Sequence, residues 1–110
     1  MEHLYLLLKP MPEINFQIQW PDGTKQNCYS PSLVVKQYFN PGETYELTEF
    51  VEKSRTALNI ASDRVKKAYG FSCSRALGQL KQIEAKASEY QNLATPEVLF
   101  IDFVSIHDRE

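Results

Sequence analysis

Residues 13–32 read "EINFQIQWPDGTKQNCYSPS", and they decide the fold. From Ile14 to Trp20 the chain alternates. Ile14, Phe16, Ile18 and Trp20 fall on one side; Asn15, Gln17 and Gln19 fall on the other. A period of two marks a strand with one buried face. Pro21-Asp22-Gly23-Thr24 follows as a turn, since proline presets its φ and glycine takes a positive one. Lys25 to Tyr29 then returns as the second strand of a hairpin. Ser30-Pro31 suits a helix start, with serine as cap and proline at the first helical position. A short helix through Leu33, Val34, Val35 and Tyr38 is therefore expected. Cys28 and Tyr29 are left at the strand-to-helix junction, where side chains often line clefts.

Outward from this hairpin the pattern turns helical. Asn40-Pro41-Gly42-Glu43 is a second turn, and Thr44 to Leu47 reads as a short third strand. Thr48 is expected to cap a long helix, with Glu49 and Glu52 in its first turn, where carboxylates suit the helix dipole. Its apolar stripe is Val51, Ser54, Leu58, Ala61, Val65 and Ala68, and Gly70 ends it as a left-handed cap. A further helix to about Tyr90 carries the stripe Cys73, Ala76, Leu80, Ile83, Ala87 and Tyr90. Both stripes are rich in small residues, so the two helices should pair closely and antiparallel. Gly78 costs the second of them about 1 kcal/mol against alanine, which close contact with a neighbour would explain. Val98 to Ile106 is apolar and β-prone, either an added edge strand or a segment that docks on a second copy as a homodimer contact. The expected fold is α+β: an N-terminal β-hairpin, with room for one or two further strands, packed against a long helical hairpin and one short helix. One domain spans 1–110, with its core at about 11–92 and with 1–10 and 93–110 as appendages.

Composition narrows the classes of function. At 110 residues, 43% hydrophobic and 12% aromatic, the chain has the makings of one packed core. Its longest apolar run, Leu4 to Leu8, is too short to span a bilayer and lacks the basic lead and cleavage site of a secretion signal. A cytoplasmic location is expected. Cys28 and Cys73 are too few for a disulfide scaffold. With no CxxC pair and no histidine near either, a metal site is not expected, nor is any cofactor. The net charge of −2 hides segregation: eight basic and two acidic residues lie between Lys53 and Lys86, with acidic excess on both sides. A basic middle either neutralises itself across the fold or faces an anion.

Several constellations bear on chemistry. Cys73 sits at a helix start, where amide dipoles lower a thiol pKa, and Arg75 and Lys67 lie close in sequence. Yet the only histidines, His3 and His107, are near the chain ends, which argues against a Cys-His dyad. Tyr29, Ser30, Ser54, Arg55 and Arg75 would form an anion or carboxylate pocket if the fold gathered them. Glycines 23, 42, 70 and 78 stand alone, so no phosphate loop is present. "RVKKAYGFSCSRALGQLK", residues 64–81, reads as helix, glycine turn, helix with a basic excess. Val65, Tyr69, Phe71 and Ala76 suit a DNA-binding helix-turn-helix. Lys66 and Gln79 do not, which disfavours nucleic acid.

"MPEINFQIQWPDG", "CYSPS" and "SRTALNIASDRVKKAYGFSCSRALGQLKQIEAKA" together resemble a family of small bacterial nitrogen starvation response proteins. WPDG, CYSPS, SRTAL and YGF-x-CS occur in order, and the likeness covers about residues 11–90. The family's genes lie in nitrilase-containing clusters, beside a radical-SAM protein, an acetyltransferase, an AIR-synthase-like protein and a flavoprotein. The resemblance brings no active-site assignment. It implies a cytoplasmic product serving a small nitrilase-linked pathway, with the enzymes of that cluster as partners. The leading expectation is a non-catalytic accessory protein that binds a pathway enzyme or intermediate. Its working surface would be Cys28 to Ser32 and Gly70 to Arg75. The alternatives are a small enzyme with Cys73 or Cys28 as nucleophile and Arg55 or Arg75 holding an anion, and a helix-turn-helix regulator.

Overall fold

A computed structural model describes residues 12–105. The expected appendage at 1–10, both histidines and residues 106–110 lie outside the described residues.

The alternation at 14–19 makes β1 (Ile14–Gln19), which pairs antiparallel with β2 (Lys25–Ser30) from Ile14↔Ser30 to Gln19↔Lys25. The turn between them closes with Trp20 N–H on Thr24 O and Gly23 N–H on Trp20 O, both 2.8 Å. Gly23 has φ 92°, the left-handed conformation that this turn needs. A 3-10 helix at Leu33–Gln37 follows. Its cap is Ser32, not Ser30: Ser32 Oγ accepts the Val34 N–H at 3.1 Å. Ser30 shapes the bend instead, donating to Ser32 O at 2.7 Å and accepting Ser32 N–H at 3.2 Å. Pro31 thus falls before the cap rather than inside the helix.

β3 (Thr44–Glu46) leads straight into α1 (Leu47–Tyr69). Thr48 does not cap it. The helix begins at Leu47 with Glu46 at the cap position, two residues earlier than expected, and the Leu47 N–H donates to Pro96 O at 3.0 Å, a tertiary partner in place of a side-chain cap. Gly70 ends α1 as expected, at φ 88° with its N–H on Lys66 O at 2.8 Å. After a short joint comes α2 (Ser74–Ser88), antiparallel to α1: Arg55 meets Glu84, and Ser62 meets Cys73. The stripe residues of both helices are buried apart from exposed Ala68 and half-buried Val51 and Cys73, and the buried face is wider than the stripes, taking in Leu47, Phe50, Ala57, Ser62 and Gln79 as well.

The largest correction concerns the C-terminal segment. β4 (Glu97–Ser105) is neither an appendage nor an edge strand. The sheet order is β2-β1-β4-β3, all antiparallel, so β4 is interior and pairs with β1 along most of its length. Burial is the reason. Val98 and Phe100 are fully enclosed, and Phe100 stacks on Phe39 at 4.9 Å and on Phe16 at 5.5 Å. Phe39 also meets Phe50 at 5.4 Å and the edge of Tyr45 at 5.3 Å. Aromatic pairs at such separations add to the burial of their area.

Trp20 fills the hairpin end of the core, against Tyr90 at 5.7 Å and Phe50 at 5.8 Å, with its indole N–H on Gln26 Oε1 at 2.7 Å. The Tyr90 hydroxyl donates to Asp22 Oδ2 at 2.8 Å, tying the hairpin turn to the chain just past α2. Among the described residues no helix is long and apolar enough to cross a membrane.

Two outcomes are expected. Phe100→Ala should lower unfolding free energy by about 3–5 kcal/mol in urea denaturation, whereas Val104→Ala, at 42% exposure, should stay within about 0.5 kcal/mol. An equal, small effect at both would place β4 outside the core. The second outcome concerns pH. The Thr24 hydroxyl and N–H, then the Tyr90 hydroxyl, hold the Asp22 carboxyl down at about 2, from an ordinary 3.8. A depressed carboxylate contributes fully above its unfolded pKa and loses that contribution as pH falls towards its folded value. Stability should therefore drop between about pH 4 and pH 2, and Asp22→Asn should flatten that drop in denaturation midpoints taken across the range.

Candidate functional site

The site follows from hydrogen-bond parity in the hairpin. The Trp20–Thr24 bond makes Ile18↔Gln26, Phe16↔Cys28 and Ile14↔Ser30 the pairs that exchange backbone bonds. Lys25, Asn27 and Tyr29 must then aim their N–H and C=O groups away from β1. Among the described residues no strand lies on that side, because β2 is at the edge of their sheet. At Tyr29 the α2 helix answers the demand: Gln79 Oε1 accepts the Tyr29 N–H at 3.0 Å across fifty residues of chain. Gln79 is 9% exposed, a polar side chain enclosed in order to reach that amide.

Where α2 leans over β2, a groove of about 470 Å³ opens. From the sheet it is lined by Asn15, Asn27, Cys28 and Tyr29, and from α2 by Arg75, Gly78, Gln79 and Gln82. The Arg75 guanidinium lies over the Tyr29 ring, 3.7 Å from its centroid. The Tyr29 hydroxyl donates to Glu13 Oε1 at 2.5 Å, and that oxygen is 4.0 Å from Arg75 Nη1. Burial first, and then the hydrogen bond to Glu13, raise the Tyr29 phenol well above its ordinary pKa. It stays a neutral donor at physiological pH.

The fold gathers some of the expected residues and separates others. Cys28, Tyr29 and Arg75 share the groove, whereas Cys73, half-buried at the cap of α2, is not among its lining residues. The other three do not line it. Ser30 is fully buried and spends its hydroxyl on Ser32. Ser54 is buried, and its hydroxyl has no hydrogen-bond partner among the described residues. Arg55 lines a second cavity, of about 250 Å³, between α1 and α2, where it pairs with Glu84 at 3.0 Å.

Cys28 enters the groove with little to offer as a nucleophile. It pairs with Phe16 on the inner face, is 2% exposed, and belongs to the core. Burial pushes its thiol up to about 12. Among the described residues no group of three histidine, cysteine or acidic side chains could hold a metal ion.

Sequence reasoning missed Glu13, Asn15, Asn27, Gln82 and the positive roles of Gly78 and Gln79. Two signals were present: a glutamine beside an apolar stripe, and a glycine inside a helix. Gly78 is not explained by close contact, for a Cβ there would meet nothing within 4 Å. It leaves the helix side of the groove open.

Residues 15–103 match the family described as nitrogen starvation-induced protein NitG. The chain belongs to that family. The match extends through most of β4, past residue 90 where the motif likeness ends, in keeping with an interior C-terminal strand. No curated protein and no solved structure matches the chain.

The geometry sets two outcomes for this NitG-family chain. A thiol reagent at neutral pH should modify Cys73 in the folded protein and Cys28 only after denaturation; two equally fast thiols would contradict the burial of Cys28. Gly78→Ala, in open space and without a positive φ, should raise stability by about 0.5–1 kcal/mol in thermal or urea unfolding.

Proposed function

We propose that the chain is a non-catalytic accessory protein of the nitrogen starvation response, binding an enzyme or intermediate of a nitrilase-linked pathway in the β2–α2 groove. One observation carries this reading: the groove is furnished for recognition and not for proton transfer. Four of its side chains are carboxamides, Asn15, Asn27, Gln79 and Gln82. Carboxamides donate and accept hydrogen bonds but do not titrate near neutrality. Its one cation, Arg75, cannot serve as a base, and its phenol is held neutral. General acid–base work needs a group poised near the working pH, and nucleophilic work needs an activated thiol or hydroxyl. The buried thiol of Cys28 is moved in the opposite direction.

A DNA-binding reading draws no comparable support. Phe71, which a helix-turn-helix would pack inside, is 65% exposed.

The test is retention on the immobilised chain from an extract of nitrogen-starved cells, with proteins and small molecules identified by mass spectrometry. The wild type and Gly78→Phe, which fills the groove from the helix side, are compared side by side. Species held by the first and lost by the second support the reading. Identical retention on both, or none on either, overturns it.

A further inference from the structure

We propose that the β2–α2 groove takes an extended polypeptide segment of a partner protein, which adds to the open edge of β2 at Asn27 as a strand and presents a carboxylate to Arg75. The proposal rests on the binding reading above and names the class of partner.

Four features of the groove converge on it. First, its floor is strand edge. Parity in the hairpin directs the N–H and C=O of Asn27 outward, and no strand lies opposite them among the described residues. Such a pair of groups is met most simply by another extended backbone. Second, the molecule already shows what this edge demands. The Gln79 carboxamide gives the neighbouring Tyr29 N–H a carbonyl-type oxygen at 3.0 Å, as an incoming strand would. Third, Gly78 on the facing helix turn leaves open space where any other residue would project a side chain. A main chain needs that clearance to lie between helix and strand. Fourth, Arg75 is fixed by stacking on Tyr29 yet 66% exposed, so donors of its fork remain for a carboxylate. Glu13 at 4.0 Å is too distant to occupy them all.

The sheet's other open edge makes the contrast. β3 covers only residues 97–99 of β4, so the far part of β4 faces outward beyond it. There the outward N–H of Phe103 is taken by the Asp102 carboxylate of the same strand, at 2.8 Å. A carboxylate on an edge repels an incoming strand's carbonyls. One edge is closed by its own side chain; the other is roofed but open at Asn27.

The experiment selects a phage-displayed library of random octapeptides on the immobilised full chain. The best peptide is then synthesised with each backbone nitrogen methylated in turn. Strand addition predicts a period of two: methylation at alternate residues weakens binding about tenfold, and at the residues between them by less than about twofold, since only every other amide faces β2. Enriched peptides should carry Asp or Glu. Arg75→Gln should weaken them roughly tenfold, and Gly78→Phe should abolish binding. The methylation scan uses the wild-type protein, so its outcome does not depend on how a variant folds. No enrichment, a scan without the two-residue period, or binding indifferent to Gly78→Phe overturns the proposal. If small molecules from starved cells are still held by the wild type and lost by Gly78→Phe, the strand fails while the binding reading stands; if nothing is held, both fail.

Discussion

The pairing of β4 with β1 is the constraint on which the remainder of the fold rests. A two-stranded ribbon is marginal in water and presents too narrow a face to hold two amphipathic helices. With β4 beside β1, and β3 beyond it, the inner face widens to receive Phe39, Phe50 and Leu58. Phe100 then sits between Phe16 and Phe39, so the last strand joins the first strand to the 3-10 segment through one aromatic layer. α1 lies on that layer through Phe50. The joint at Gly70 is short, and so α2 has to return along α1 and come down beside β2. The groove is a consequence of this sequence of placements and not a separate structure added to them.

Much of this was written locally. The alternation of β1 survives residue by residue, because each apolar side chain at 14, 16, 18 and 20 is enclosed. The stripe of α2 is equally direct: Ala76, Leu80, Ile83 and Ala87 are all buried. Gly70 was legible because a left-handed cap is a property of the backbone at one residue. β4 was harder. Its partner is the first strand, at the other end of the described chain, and no local pattern names a partner. One clue was there in "VLFI", residues 98–101: four apolar residues in succession, where a strand with one solvated face would alternate. The two serines around Pro31 show the opposite limit. Either could cap a helix by its chemistry, and the choice fell to Ser32 because Ser30 is still held in the β2 ladder.

The site divides along similar lines. Tyr29 and Arg75 were legible as a hydroxyl and a cation near chain bends, and the fold stacks one on the other. Ser30, Ser54 and Arg55 carry the same functional groups, but strand parity and helix phase turn them elsewhere. What sequence could not display is that the groove's principal chemistry belongs to the backbone. An edge amide has no letter. Its trace is indirect, in residues that break a local rule: a glutamine enclosed beside an apolar stripe and a glycine in mid-helix. Each costs stability where it stands, and each is accounted for by the edge of β2.

A helix beside a sheet edge does two things at once. It closes the edge of β2 at Tyr29, whose outward N–H is taken by Gln79 of α2. It also narrows what can reach Asn27 to a segment thin enough to pass beneath Gly78. Bare edges attract any extended chain; a roofed edge with one cation at its end discriminates, since hydrogen bonds to the backbone carry no sequence information while Arg75 does. Gln79 makes that selection sharper. By closing the amide at Tyr29, it leaves an incoming strand to register on Asn27, and a fixed register is what would bring a particular acidic side chain of the partner to the guanidinium.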